Sequence, residues 1–220
     1  MARFDLIVFD WDGTLMDSTG AIVEAIRRAA ADLGLPVPDA RRAAYVIGLG
    51  LHDALRHAVP DLPAAMLPAF VERYRHHYLV RDGGLRLFDG VRELLEWLRA
   101  QPAVLSAVAT GKSRAGLERA FDATGLRPMF VASRCADEGL PKPDPWMLRE
   151  LCEQLGVAAE RTLMVGDTTH DLDMAGAAGA WAAAVTYGAH LPEALVARRP
   201  AAVLESVAHL HDWLRAQLRP

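Results

Sequence analysis

The stretch FDLIVFDWDGTLMDS, from Phe4 to Ser18, joins a strand-like apolar run to two closely spaced carboxylates. Leu6–Phe9 predicts a buried strand, and Asp10 and Asp12 follow at its carboxyl end. Side chains two residues apart on an extended chain point to the same side, so these carboxylates repel each other unless positive charge compensates them. A site for a metal ion and a phosphate group would explain the pair.

Composition limits the class of protein. The chain has 220 residues, of which 52% are hydrophobic and 24% charged, and this indicates a globular domain with at most a modest insertion. A net charge of −4 and the lack of a long basic run argue against a nucleic-acid surface. No apolar stretch reaches the roughly 18 residues of a membrane span, no signal peptide is evident, and two cysteines fit a reducing cytoplasm.

Apolar runs alternate with helical patterns along most of the chain, which predicts an α/β fold: a Rossmann-like, doubly wound parallel sheet covered on both faces. Ligands bind such sheets outside the carboxyl ends of the strands. The predicted strands are Leu6–Phe9, Ala103–Ala109, Met129–Ala132, Thr162–Val165, Trp181–Thr186 and Ala201–Leu204, and the predicted helices lie near 90–100, 113–123, 145–155, 169–178 and 205–217.

Residues 18–82 interrupt this rhythm, because they contain helical patterns without a clear strand. The helices are expected at Ser18–Leu33, Asp39–Val46, Leu51–Ala58 and Pro63–Val80, separated by prolines. We interpret residues 18–82 as a helical cap inserted after the first strand, and residues 1–17 and 83–220 as the α/β core.

Two further strand ends carry groups suited to phosphate. Thr110, Gly111 and Lys112 follow the second core strand, where a hydroxyl and free amides at a helix start can bind phosphate. A P-loop is excluded because that motif needs glycine at position 106, which is Ser. Lys142 lies in PKPDP, and Lys112 and Lys142 are the only lysines among 24 lysine and arginine residues.

The stretch TLMVGDTTHDLDM places Asp167 at another strand end and Asp171 one helical turn later. Hard carboxylate oxygens suit Mg²⁺, which keeps several waters and often shares phosphate oxygens. His170 is expected at the surface and Asp173 in solvent. Each motif alone also has an ordinary explanation as a turn, a helix cap or a solvated lysine. Together, however, the acidic, hydroxyl and lysine groups converge on one sheet edge.

These motifs, DWDGT, ATGK, KPDP and GDTTHD in this order, resemble the haloacid dehalogenase superfamily in its phosphatase branch, and IGLGL at Ile47–Leu51 resembles phosphoglycolate-phosphatase-like members. The resemblance implies a magnesium-dependent phosphatase that acts on a small phosphorylated metabolite, and the charge and hydropathy of the chain argue against nucleic acid or membrane as partners. It implies these roles: Asp10 as nucleophile and metal ligand; Asp12 as acid/base and metal ligand through its carbonyl; Thr110 and Lys142 as phosphoryl-binding; Gly111 and Lys112 as substrate contacts; Asp167 and Asp171 as metal ligands.

Rival functions can be weighed on the same residues. Asp12 argues against a dehalogenase, which does not need this acid. A phosphonatase would need a lysine in the cap, and residues 18–80 contain none. A phosphomutase of the β-phosphoglucomutase kind shares the core residues and stays open, as does a non-catalytic binding protein of the same fold.

Overall fold

The structure is a computed structural model that describes residues 3–218. Within these residues it has eight strands, and six of them form one parallel sheet in the order β5-β4-β1-β6-β7-β8 once the strands are numbered along the chain. The strands are β1 (Leu6–Phe9), β2 (Met16–Asp17), β3 (Arg86–Leu87), β4 (Leu105–Thr110), β5 (Ala132–Cys135), β6 (Thr162–Gly166), β7 (Trp181–Val185) and β8 (Ala202–Leu204).

Helices cover both faces of this sheet, which confirms the predicted doubly wound fold. The helices are α1 (Thr19–Asp32), α2 (Ala40–Tyr45), α3 (Leu51–Ala58), α4 (Leu67–Asp82), α5 (Val91–Arg99), α6 (Arg114–Thr124), α7 (Trp146–Leu155), α8 (Thr169–Ala178), α9 (Pro192–Val196) and α10 (Val207–Gln217). Side chains alternate between the two faces of the sheet along β1, so this strand contacts a layer of helices on each face. Ile7 and Phe9 pack with α5, α6 and α10, while Leu6 and Val8 pack with α7 and α8.

The four helices α1 to α4 lie between β2 and β3 and form what we call the helical insertion (residues 18–82). It has a hydrophobic cluster of its own, whose buried members come from residues 22–78. β2 and β3 pair antiparallel at the two ends of the insertion. The division of the chain into two domains at residues 17/18 and 82/83 stays a prediction.

Several elements differ from the sequence prediction. The strand expected at Met129–Ala132 is found at Ala132–Cys135, because a 3₁₀ turn at Arg127–Met129 contains Pro128 and precedes it. Proline has a fixed φ and no N–H, and both properties favour a turn over a strand at this point. The two-residue strands β2 and β3 and the short helix α9 were not predicted.

The strand order brings the functional motifs to one edge. β1 lies between β4 and β6, and Phe9 is in register with Val108 on one side and Val165 on the other. The chain segments that follow these three strands therefore emerge side by side. Among the residues that the structure describes, no helix is long and apolar enough to span a membrane.

Candidate active site

Asp10 and Lys142 form a buried ion pair at the carboxyl end of β1. Asp10 Oδ1 lies 2.8 Å from Lys142 Nζ, and both side chains are at most 1% exposed. Lys142 also donates a 2.6 Å hydrogen bond to Asp171 Oδ1. Burial lowers the pKa of Lys142, but the two carboxylates outweigh this effect and raise it above its usual range, so the side chain is an ammonium.

Asp171 is oriented by the start of α8. The N-cap residue Thr168 donates from its amide (3.1 Å) and its hydroxyl (2.7 Å) to Asp171 Oδ2. This capping box satisfies free amides of the first turn and fixes the carboxylate at the same time. The other oxygen, Oδ1, is thereby directed towards Lys142.

Asp167 follows β6 and is held from two distant segments. Thr14 Oγ1 donates to Asp167 Oδ1 and the Ala189 amide donates to Oδ2, each at 2.7 Å. Gly13 and Gly188 pack so closely that a Cβ on either would collide with this carboxylate. Gly13 also has a φ of 83°, which favours glycine. Asp167 is therefore fixed by neutral donors, and none of the ion pairs among residues 3–218 includes it.

Asp10, Asp167 and Asp171 form an acidic cluster whose ligand oxygens all lie within 4.8 Å of one another. Asp10 Oδ1 is close to Lys142, but neither Asp10 oxygen accepts a well-aligned hydrogen bond from the described part of the chain. Buried carboxylates normally have such partners. Three hard oxygen donors, of which the Asp10 carboxylate accepts no aligned hydrogen bond from the described residues, fit a Mg²⁺ ion, which prefers such ligands.

The pKa values in this cluster reflect crowding of negative charge. Burial raises the pKa of Asp10 to about 7, and although Lys142 opposes the increase, Asp171 adds to it. Burial and the charges of Asp10 and Asp171 raise the pKa of Asp167 well above its usual range. A divalent cation would reverse this effect, because it favours the ionised carboxylates.

Asp12 lies in a separate ion pair beside the acidic cluster. Lys112 Nζ is 2.9 Å from both of its oxygens, and Ser18 Oγ donates to Oδ1 at 2.6 Å. Lys112 also donates a 2.9 Å hydrogen bond to the Tyr78 hydroxyl of α4. Burial lowers the pKa of Lys112, but Asp12 and Tyr78 outweigh it and raise the value above its usual range.

Thr110 and Gly111 complete the edge at the end of β4. Thr110 is buried, and its Oγ1 accepts a 3.2 Å hydrogen bond from the Lys112 amide. Gly111 packs against the backbone of the helical insertion, so that a Cβ at this position would lie 2.6 Å from Gly48 O and 2.7 Å from Leu49 O. Gly111 therefore permits a close approach between the insertion and the sheet.

A cavity of about 730 Å³ opens over these groups, between the sheet edge and the insertion. Its floor includes Asp10, Asp12 and Thr110, and its other walls come from α1, α3, α4 and the loop at 47–51. Such a volume accommodates a small organic ligand.

All eight site residues predicted from the sequence lie at this sheet edge. Asp10, Lys142, Asp167 and Asp171 form one group, whereas Asp12 and Lys112 form the pair beside it. The expectation for His170 was wrong: it is buried, and its Nε2 lies 2.9 Å from the Tyr45 main-chain oxygen of the insertion. Asp173 is exposed, as expected, and pairs with Arg198.

Sequence reasoning did not single out several residues that orient the acids. Thr14 and Ser18 both lie within the opening stretch, and their position next to Asp10 and Asp12 was a usable signal. Tyr78 and the amide of Ala189 carried no such signal, because they reach the site from segments far away along the chain.

Residues 7–185 match the sequence model of the family described as haloacid dehalogenase-like hydrolase. The chain belongs to this family. A relative described as "Probable phosphatase IndB", from Dickeya dadantii, is 37% identical over 97% of this chain and 95% of its own length. A phosphoglycolate phosphatase of Aliivibrio fischeri is 31% identical over 93% of this chain and 94% of its own length.

A solved structure has the same fold over the whole chain. The predicted phosphoglycolate phosphatase from Haemophilus somnus superposes with a TM-score of 0.85 and 27% identity, covering 98% of this chain and 99% of its own. The resemblance stated from the motifs is thus confirmed, and so is the prediction of an enzyme of the haloacid dehalogenase-like type with phosphatases among its relatives.

Proposed function

We propose that the protein is a Mg²⁺-dependent phosphatase that hydrolyses a small phosphate monoester through an aspartyl-phosphate intermediate. One observation carries the proposal: the buried Asp10 carboxylate lies with Asp167 and Asp171 in a cluster 4.8 Å across, and Lys142 contacts it at 2.8 Å. This arrangement combines a nucleophile, ligands for a cation and a fixed positive charge. The phosphatases among its relatives support the same reaction.

In the proposed reaction, a carboxylate oxygen of Asp10 attacks phosphorus and the bond to the ester oxygen breaks. Asp12 would act in its protonated form, turned away from Lys112 and Ser18, and give its proton to the departing alkoxide, so that an alcohol leaves and an aspartyl-phosphate remains. Asp12 then takes a proton from a water molecule that attacks phosphorus. The bond to Asp10 breaks, and inorganic phosphate and the free carboxylate result.

The transferring phosphoryl group carries negative charge that the site must neutralise. Lys142 would supply an ammonium, and Thr110 a hydroxyl, to its equatorial oxygens. Asp10, Asp167 and Asp171 would hold Mg²⁺, with the Asp12 carbonyl as a further ligand, and the ion would supply positive charge to the phosphoryl oxygens. Lys112 and Gly111 would contact the substrate.

We propose further that the helical insertion, residues 18–82, acts as a cap that selects the leaving group and excludes water. The cavity beneath it supports a small phosphorylated metabolite, such as phosphoglycolate or a sugar phosphate, as substrate. A cytoplasmic location is part of the proposal, because Cys135 and Cys152 are free thiols and that compartment keeps thiols reduced.

The test is phosphate release from a panel of esters, with and without Mg²⁺. The panel contains phosphoglycolate, sugar phosphates, nucleotides, pyrophosphate and a chromogenic aryl phosphate, and Asp10→Asn purified in parallel controls for contaminating phosphatases. Mg²⁺-dependent release by the wild type alone is the expected result. Conversion of a sugar phosphate to its isomer without release would instead indicate a mutase, and a folded protein that turns over nothing would contradict the proposal.

A further inference from the structure

A line of polar contacts connects the helical insertion to Asp12. The Tyr78 hydroxyl of α4 accepts a 2.9 Å hydrogen bond from Lys112 Nζ, and the same ammonium lies 2.9 Å from each Asp12 oxygen. Lys112 Nζ also lies 5.0 Å from the centre of the Tyr78 ring. Tyr78 thus connects α4 to the ion pair.

The contacts are made in a largely dry environment. Tyr78 is 7% exposed, and the side chains of Lys112 and Asp12 are 10% and 11% exposed. Hydrogen bonds and ion pairs are stronger when water is excluded. An ammonium has three N–H donors, so two bonds to Asp12 and one to Tyr78 use all of them.

The position of Lys112 depends on these partners because its side chain is long and flexible. The hydrogen bonds from Lys112 and Ser18 hold the Asp12 carboxylate, and Asp12 must turn out of them to give a proton to a leaving group. The hydrogen bond to Tyr78 would remain available to the ammonium during that movement. Without the hydroxyl, Lys112 would have to give up its ion pair with less compensation.

We infer that Tyr78 is a positioning residue which, through Lys112, controls how readily Asp12 reaches the leaving-group oxygen. Protonation of the leaving group then depends on α4 lying over the sheet edge. The inference rests on the proposed function, since it assumes that Asp12 protonates a departing alcohol.

The experiment compares two esters that differ in their need for an acid. An alkyl phosphate has a basic leaving group that requires protonation, whereas a nitrophenyl phosphate releases an acidic phenol that does not. We would measure kcat/KM, which covers all steps up to formation of the aspartyl-phosphate, for the wild type and Tyr78→Phe. The substitution keeps the ring and its packing, and circular dichroism verifies the fold.

The expected result is a selective loss. General acid catalysis contributes about 10²–10⁴-fold to a rate. The kcat/KM of Tyr78→Phe should therefore fall by about tenfold or more with the alkyl ester and change little with the nitrophenyl ester. Tyr74 is the matched control: its ring stacks on Tyr78 at 5.9 Å and lines the same cavity. Tyr74→Phe should leave the ratio of the two kcat/KM values unchanged.

A double-mutant cycle tests the route through Lys112. In a Lys112→Met background, Tyr78→Phe should change the ratio of the two kcat/KM values no further, because the residues act as one unit. Equal losses with both esters, or full additivity with Lys112→Met, would overturn the inference while the phosphatase proposal stands. A wild type that hydrolyses neither these esters nor the earlier panel would remove the proposed function and the inference with it.

Discussion

His170 and His190 bring their Nε2 atoms to the same acceptor, the main-chain oxygen of Tyr45, each at 2.9 Å. The Thr169 amide donates to His190 Nδ1 at 3.0 Å, so the proton of that imidazole is on Nε2. The Tyr45 ring stacks on His190 with centroids 5.0 Å apart. The first turn of α8 and the loop between β7 and α9 therefore hold the end of α2.

This contact contributes stability that acid removes, whereas the raised pKa values of Asp10 and Asp167 act in the opposite direction over the same pH range. Burial lowers the pKa of His170 and of His190, so the unfolded chain, with pKa values near 6.5, binds protons at a higher pH than the folded protein. Stability contributed by the neutral imidazoles is complete above about pH 6.5 and falls as pH decreases below it. Urea unfolding at several pH values between 5 and 8 measures how the free energy of unfolding depends on pH.

Compared with the wild type, a His170→Gln, His190→Gln double variant should change its free energy of unfolding between pH 7 and 5 in the stabilising direction, because it lacks the imidazoles that acid protonates. His52→Gln, in an exposed position of α3, serves as the control and should keep the wild-type slope. An unchanged slope in the double variant would contradict this explanation of the acid sensitivity.

Asp10→Asn should abolish turnover and stabilise the metal-free protein. The amide is nearly isosteric but cannot form the aspartyl-phosphate. The substitution also removes one of three crowded carboxylates. Burial raises the pKa of Asp10 to about 7, so the fold disfavours the ionised form of this side chain. Melting at pH 8 with chelator should show a higher Tm than the wild type. Residual turnover of a few per cent would refute the assignment of the nucleophile.

Removal of Mg²⁺ should stop activity reversibly and lower the Tm. A ligand that binds only the folded state adds about 2.7 kcal/mol at a concentration of 100 Kd, and the acidic cluster supplies the binding groups. Asp167→Asn, which keeps the nucleophile, should reduce the Mg²⁺-dependent rise in Tm. Hydrolysis that persists in chelator would count against the metal site.

Gly111→Ala should impair catalysis by pushing the insertion away from the sheet. Its Cβ would lie 2.6 Å from Gly48 O, and because the backbone of Gly111 is not left-handed, the effect is steric rather than conformational. A displacement of about 1 Å can cost about 10²-fold in rate, so kcat/KM should fall strongly. Gly20→Ala, where a Cβ meets nothing within 4 Å, should keep wild-type kinetics.

Cys135 should be inert in the folded protein. It is fully buried, and burial raises the pKa of its thiol to about 12, although Arg114 opposes the increase. Because the thiolate is the reactive form, iodoacetamide at pH 8 should alkylate the less buried Cys152 first and Cys135 only in urea. Mass spectrometry of the peptides that contain Cys135 and Cys152 measures the two alkylation rates. Equal rates in the folded protein would contradict the prediction.

The fold was predictable where a pattern is local. β1 matches its predicted bounds because Leu6–Phe9 is an unbroken apolar run, and α8 does so because a capping residue and a glycine mark its ends. By contrast, β2 and β3 have two residues each, which is too few to show the alternation of apolar and polar residues that identifies a strand.

The site was predictable at the level of its charges. Acidic, hydroxyl and lysine groups at strand ends needed only the parallel sheet to bring them together. Of the residues that orient these groups, Tyr78 and Ala189 could not be predicted, because both reach the site from segments far away along the chain. His170 was expected at the surface although it lies within GDTTHD, because its contact with Tyr45 spans 125 residues and leaves no local pattern.

The hydrogen bonds that fix Asp167 delay completion of the acidic cluster until a late stage of synthesis and refolding. Thr14 and the amide of Ala189 lie 153 and 22 residues from it along the chain. During synthesis, Asp10 and Thr14 precede Asp167, and the carboxylate of Asp167 lacks its hydrogen bond from the Ala189 amide until that residue has left the ribosome. Turnover that depends on Asp167 would therefore recover only after the segment around residue 189 has joined the sheet edge, whereas the fluorescence of Trp11, packed on Phe121, can return earlier.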